Sequence, residues 1–89
     1  MPTRDEIKDQ VTQEIAVVTD TPADQILESD KLFEKLGMGP MERKAMALPY
    51  TKIAESYPGG LSIGISEAEQ LETVRESINL VTKRAQGKP

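Results

Sequence analysis

Apolar residues recur along the chain at helical spacing, and most runs open with a start signal. Ile7, Val11, Ile15 and Val18 step by four, four and three residues, which puts them on one face of a helix ending near Val18. Thr3 ahead of Glu6 forms a capping box: the hydroxyl can accept from a backbone N–H while the carboxylate reaches back to the cap. Asp5 and Glu6 place negative charge at the positive end of the same helix dipole. Thr21 can cap a second helix, with Pro22 at the first helical position, where its missing N–H costs nothing. Only Ile26 and Leu27 follow before the polar Glu28-Ser29-Asp30, so at most a turn or two is predicted there. Leu32, Phe33 and Leu36 then form an apolar cluster closed by Gly37.

Gly39-Pro40 starts the next helix, again with proline at its first position. Met41, Ala45 and Leu48 make one stripe, and Met46, Tyr50, Ile53 and Tyr57 an adjacent one. Pro49 sits inside this pattern, where it removes a hydrogen bond to the carbonyl of Ala45 and crowds it, at a cost of about 3 kcal/mol. The period continues across it, which predicts a kinked helix or a clean break, ended by Pro58-Gly59-Gly60. Leu61, Ile63 and Ile65 alternate with Ser62 and Gly64 at strand period, but no other segment offers a partner. The expectation is an extended link that turns these side chains into the core.

Ser66 with Glu69 and Thr73 with Glu76 are two further capping boxes, and Leu71, Val74, Ile78, Val81 and Ala85 follow at helical steps up to Gly87. Either one helix runs from Glu67 to Ala85 or Thr73 starts a fresh one, and the second cap favours two. Residues 1–85 are expected to form a single domain, with 86–89 as a flexible tail.

Composition narrows the chemistry. Phe33, Tyr50 and Tyr57 are the only aromatic residues in 89, so the core must be aliphatic, which suits packed helices: an all-α fold. With neither cysteine nor histidine, thiol and serine–histidine catalysis, disulfides and Cys/His zinc sites are excluded. No apolar stretch reaches the roughly 20 residues that span a bilayer, and the N-terminus does not read as a secretion signal. A net charge of −4 disfavours nucleic acid, and a cytoplasmic, non-membrane, monomeric protein is expected. Glu67, Glu69 and Glu72 lack the loop ligands and glycine turn of a cation site and are expected to be solvated capping carboxylates; no metal is expected. Tyr50 and Tyr57 are expected at the core edge with hydroxyls reaching water, and Ser77 on the helix surface.

The ordered set of segments resembles the acyl carrier proteins. Phe33-Glu34-Lys35-Leu36-Gly37 is similar to that family's loop end, Ile63-Gly64-Ile65 to its Ile-x-Ile link, and Thr73-Val74 to the lead-in to its last helix. The resemblance runs from about Ile7 to Val81 and implies a small four-helix bundle of three main helices plus a short one. It also implies a place in fatty-acid or polyketide-type acyl metabolism, with an enzyme of that metabolism as partner. In that family an Asp-Ser-Leu motif follows the Leu-Gly, and its serine carries a phosphopantetheine arm. Here Gly39 stands at the aspartate's position, Pro40 at the serine's and Met41 at the leucine's. Proline has no hydroxyl, so no phosphodiester can form there and no cofactor is expected in this register.

The expectation is therefore a non-catalytic protein-binding module whose partner face contains Met38, Met41, Arg43 and Lys44. Met41 and Met46 are assigned to the core, and Met38 to core or surface equally. Lys31, Glu34, Lys35, Glu42, Arg43 and Lys44 are four cations against two carboxylates, net +2, leaving −6 for the rest of the chain. That sign separates this face from the family's acidic second helix and its basic partners. Two alternatives stand beside it. One is a working carrier modified at another serine (Ser29, Ser56, Ser62, Ser66 or Ser77), with Ser29 the foremost. The other is an unrelated small helical regulator, dimeric through the Met41–Tyr57 helix.

Overall fold

In a computed structural model describing residues 2–89, the chain is an all-α bundle. Among the described residues there are five α-helices and no strand: α1 (Arg4–Thr19), α2 (Pro40–Ala45), α3 (Ala47–Glu55), α4 (Ile65–Glu69) and α5 (Val74–Ala85). A short 3-10 turn, Ala23–Gln25, interrupts the first loop. Since α2 and α3 are the two halves of one bent helix, the architecture is four helical units.

Helices α1 and α5 start where the sequence supplies a capping threonine. The Thr3 hydroxyl accepts from Glu6 N (3.3 Å) at α1, and the Thr73 hydroxyl from Glu76 N (3.1 Å) at α5. Thr73 thus starts a separate helix, as its cap suggests. The box read at Ser66 is displaced: Gly64 is the N-cap of α4, and Glu67, not Glu69, reaches back to Gly64 N (3.0 Å). Pro22 is likewise the residue before the 3-10 turn, not its first, and the Thr21 hydroxyl donates to Thr19 O instead of capping.

Pro49 decides the shape of the middle helix. The ladder breaks at Met46, whose N–H turns to Arg43 O (3.1 Å) in a tighter bond. The chain restarts at Ala47, so Pro49 falls in the first turn of α3, where no N–H is required. Met46 stays in helical conformation (φ −70°, ψ −14°), which makes the junction a bend between two short helices.

The helices α1, α3 and α5 pack on one another around the core, while α2 packs mainly on α4. Ile7, Val11 and Ile15 meet Ala47, Tyr50, Ile53 and Ala54 of α3 and Val74, Ile78, Val81 and Ala85 of α5. Val18, expected on this stripe, is exposed, because α1 ends at Thr19 and the next residue, Asp20, is left-handed (φ 51°). Leu32, Met38 and Ile63 enter the core from the loops. Of the extended link only Ile63 is buried; Leu61 and Ile65 face outward, contrary to expectation. The link is held by Leu61 N to Arg84 O (2.9 Å) and Ile63 N to the Thr51 hydroxyl (2.9 Å). A side chain at Gly60 would place its Cβ against the Ala54 carbonyl, so glycine is required where the link turns back.

The first loop is pinned to the head of α5. Leu32 N donates to Glu72 O (2.8 Å), Val74 N to Asp30 O (3.1 Å) and Arg75 N to Glu28 O (2.9 Å). Two N–H groups that a helix start leaves without partners are thereby satisfied by loop carbonyls. The tail expected to fray is tied back: Lys88 N bonds Lys83 O and Gly87 N bonds Arg84 O around a left-handed Gly87 (φ 78°). Gln86 also donates to Pro2 O (3.3 Å).

Candidate functional site

The bent helix brings the sequence-predicted residues together at one end of the bundle, but not all on its surface. Gly39 is the N-cap of α2 and Pro40 its first residue, so Pro40 stands at the head of the second long helical unit. Pro40 is exposed, and its fixed φ suits the first turn. Ser29, the foremost alternative for a modified serine, is exposed in the turn before Asp30, whose carboxylate accepts from Leu27 N (2.9 Å).

Of the four expected partner-face residues, Met38 is off the surface and Arg43 is tied into the fold. Met38 is only 1% exposed: its N–H bonds Leu32 O (2.8 Å), and the thioether fills the core. Arg43 is half-buried, donating from Nη1 to Met38 O (2.8 Å) and from Nε to Glu69 O (2.9 Å). It clips α2 to α4 and to the preceding loop. Lys44 is exposed and lies 3.9 Å from Glu69, too far for a strong pair.

Met41 moves the other way. Assigned to the core from its spacing, it is 78% exposed, and its stripe-mates Ala45 and Leu48 are exposed with it, Leu48 at 64%. Two apolar stripes run along this helix, and the core takes the one bearing Met46, Tyr50 and Ile53. Among the described residues α2 buries no side chain at all. The outer stripe continues through Lys44 and Lys52, both exposed, so two apolar side chains alternate with two cations. Beside it, Phe33, Glu34, Arg43, Glu69 and Leu71 line a shallow groove of about 310 Å³, with Phe33 58% exposed at its edge.

The other polar residues serve the fold. Tyr50 is fully buried and does not reach water; burial pushes its phenol up to about 12, opposed in part by the neighbouring Ser77 hydroxyl, with Glu14 adding to the rise. Ser77, expected on the surface, is also buried, because Val74, Ile78 and Val81 place it on the inner face of α5. Its hydroxyl turns to Thr73 O (3.4 Å), and among the described residues the Tyr50 hydroxyl closes no hydrogen bond of normal geometry. Tyr57 does reach a partner, accepting from Gln10 (2.7 Å).

Sequence reasoning missed a charge cluster at Glu28. Its carboxylate meets Arg4 (2.6 Å), Lys8 (3.3 Å) and Arg75 (3.5 Å), joining the first loop to α1 and α5. The Arg4 hydrogen bonds hold this carboxyl down at about 2, against an opposing desolvation. The Arg4–Lys8 spacing of one helical turn was the available signal. Glu67 is likewise held at about 2 by hydrogen bonds from Arg84 and then Gly64 N. It is paired to a guanidinium rather than left as a free acidic ligand. Among the described residues no group of side chains is arranged to hold a metal, and no helix is long and apolar enough to cross a membrane.

Searches against family models, curated proteins and solved structures found no match to this chain.

Proposed function

We propose that this chain is a non-catalytic binding module with a carrier-protein-like shape, bearing no phosphopantetheine, that docks another protein on the outer face of α2 and α3. The observation that carries this reading is the exposure of Met41 and Leu48 on one stripe with Lys44 and Lys52, directly after Pro40. Large apolar side chains grouped on a surface and rimmed by charge mark interaction sites more often than isolated exposed ones do. The position that would need a hydroxyl for a carrier holds a ring without one, which supports a role in binding over transfer.

The charge of the stripe sets the partner's chemistry. Lys44 and Lys52 stand out on a chain of net charge −4, so the matching surface is an amphipathic segment with carboxylates beside apolar side chains. A setting in acyl metabolism, in the cytoplasm, follows from the resemblance alone.

Met41→Glu with Leu48→Glu tests the face. Both positions are exposed, so the helical circular dichroism should stay unchanged, while recovery of partners that the natural chain captures should fall at least about tenfold, the scale of removing a hot-spot contact. A folded double variant that captures the same proteins undiminished would place the binding surface elsewhere.

A further inference from the structure

We infer that α2 is a hinged flap, latched to the bundle by the Arg43 guanidinium and bending at Met46. Three observations meet here. Among the described residues, α2 contributes no buried side chain, so little apolar surface holds it in place. Its chief polar tie is one guanidinium spanning two carbonyls on separate segments, Met38 O at 2.8 Å and Glu69 O at 2.9 Å. The second link to α4, Lys44 to Glu69, is long and exposed. And Pro49 lacks the N–H that would bind Ala45 O, so the backbone ladder that would splice α2 rigidly to α3 is missing a rung at the junction.

A short helix that buries no side chain of its own, is clipped by one guanidinium and is interrupted at its junction with α3 opens more easily than the rest of the fold. The closed position is set by geometry that only arginine provides: a planar fork with donors directed at two acceptors at once. When the fork lets go, Met38 O and Glu69 O take water as partner, α2 turns about Met46, and Met41 and Lys44 travel with it. Core residues Tyr50 and Ile53 lie beyond the hinge and stay packed. The consequence for display of Met41 and Lys44 rests on the binding reading above; the latch itself does not.

Hydrogen exchange on the free chain tests it without any partner. Arg43→Gln should speed exchange at Arg43 N and Met46 N of the bent helix, and at Ala68 N of α4, by at least about tenfold, while α1 and α5 amides keep their natural rates. Arg43→Lys, which can reach one carbonyl but not both in the same geometry, should fall between, and it carries the comparison if the glutamine variant does not fold. Pro49→Ala restores the missing donor and should slow exchange in α2. Unchanged α2 rates in Arg43→Gln, an equal acceleration of every helix, a lysine variant identical to the natural protein, or an unslowed α2 in Pro49→Ala would each overturn the latch. Since no partner takes part, these outcomes are independent of whether Met41→Glu with Leu48→Glu loses binding.

Discussion

Tyr50 shows how far a single side chain can depart from what its type suggests. Its ring is the largest fully buried group, yet among the described residues its hydroxyl has no hydrogen-bond partner of normal geometry. A buried polar atom left unpaired costs about 1–3 kcal/mol, and removing it together with its cost is neutral or favourable. Tyr50→Phe should therefore keep or raise stability, by up to about 1 kcal/mol in urea unfolding. A loss of more than about 1 kcal/mol would mean the hydroxyl is bonded in solution. The sequence placed Tyr50 on the right stripe but at the wrong depth, because periodicity gives direction and not distance from the surface. The same gap explains the methionines. Met38 lies in a loop, where no period applies; its N–H is tied to Leu32 O and its side chain enters the core. Met41 has core-like spacing, but the core takes the neighbouring stripe of Met46, Tyr50 and Ile53 and leaves Met41 outside.

At the scale of elements, local signals were read most successfully where the chemistry is short-range. Thr3, Pro40 and Thr73 mark the starts of α1, α2 and α5 as their residue types predict. Thr73→Ala should cost about 1 kcal/mol by losing the acceptor for Glu76 N, with a matching fall in the urea midpoint. No change would mean that the loop carbonyls of Glu28 and Asp30 suffice to start α5. Where two local signals compete, a distant residue decides: Glu67 rather than Glu69 caps α4, because Arg84 also pulls on that carboxylate and fixes it beside Gly64. The long first loop was legible only as polar. What shapes it, the bonds from Leu32, Val74 and Arg75, joins residues 40 or more positions apart and leaves no local pattern.

For the whole molecule, helix number and order were legible, whereas the outward face depended on a bend that Pro49 announces without giving its direction. Electrostatics adds a test of the assembly. Glu28 and Glu67 both have folded pKa values of about 2, below the ordinary 4.5, so the folded state binds fewer protons. Their contribution is complete above pH about 4.5 and is lost as pH falls toward about 2. Urea midpoints should be flat from pH 7 to about 5 and then decline, less steeply in Glu28→Gln, and the difference should shrink in high salt. An identical decline in that variant would remove Glu28 as the clasp of the first loop. The central claim concerns the head of α2, where proline offers no oxygen for a prosthetic group. The most direct measurement is the intact mass of the chain after co-expression with a permissive phosphopantetheinyl transferase. The bare polypeptide mass is predicted; a gain of one phosphopantetheine would contradict it.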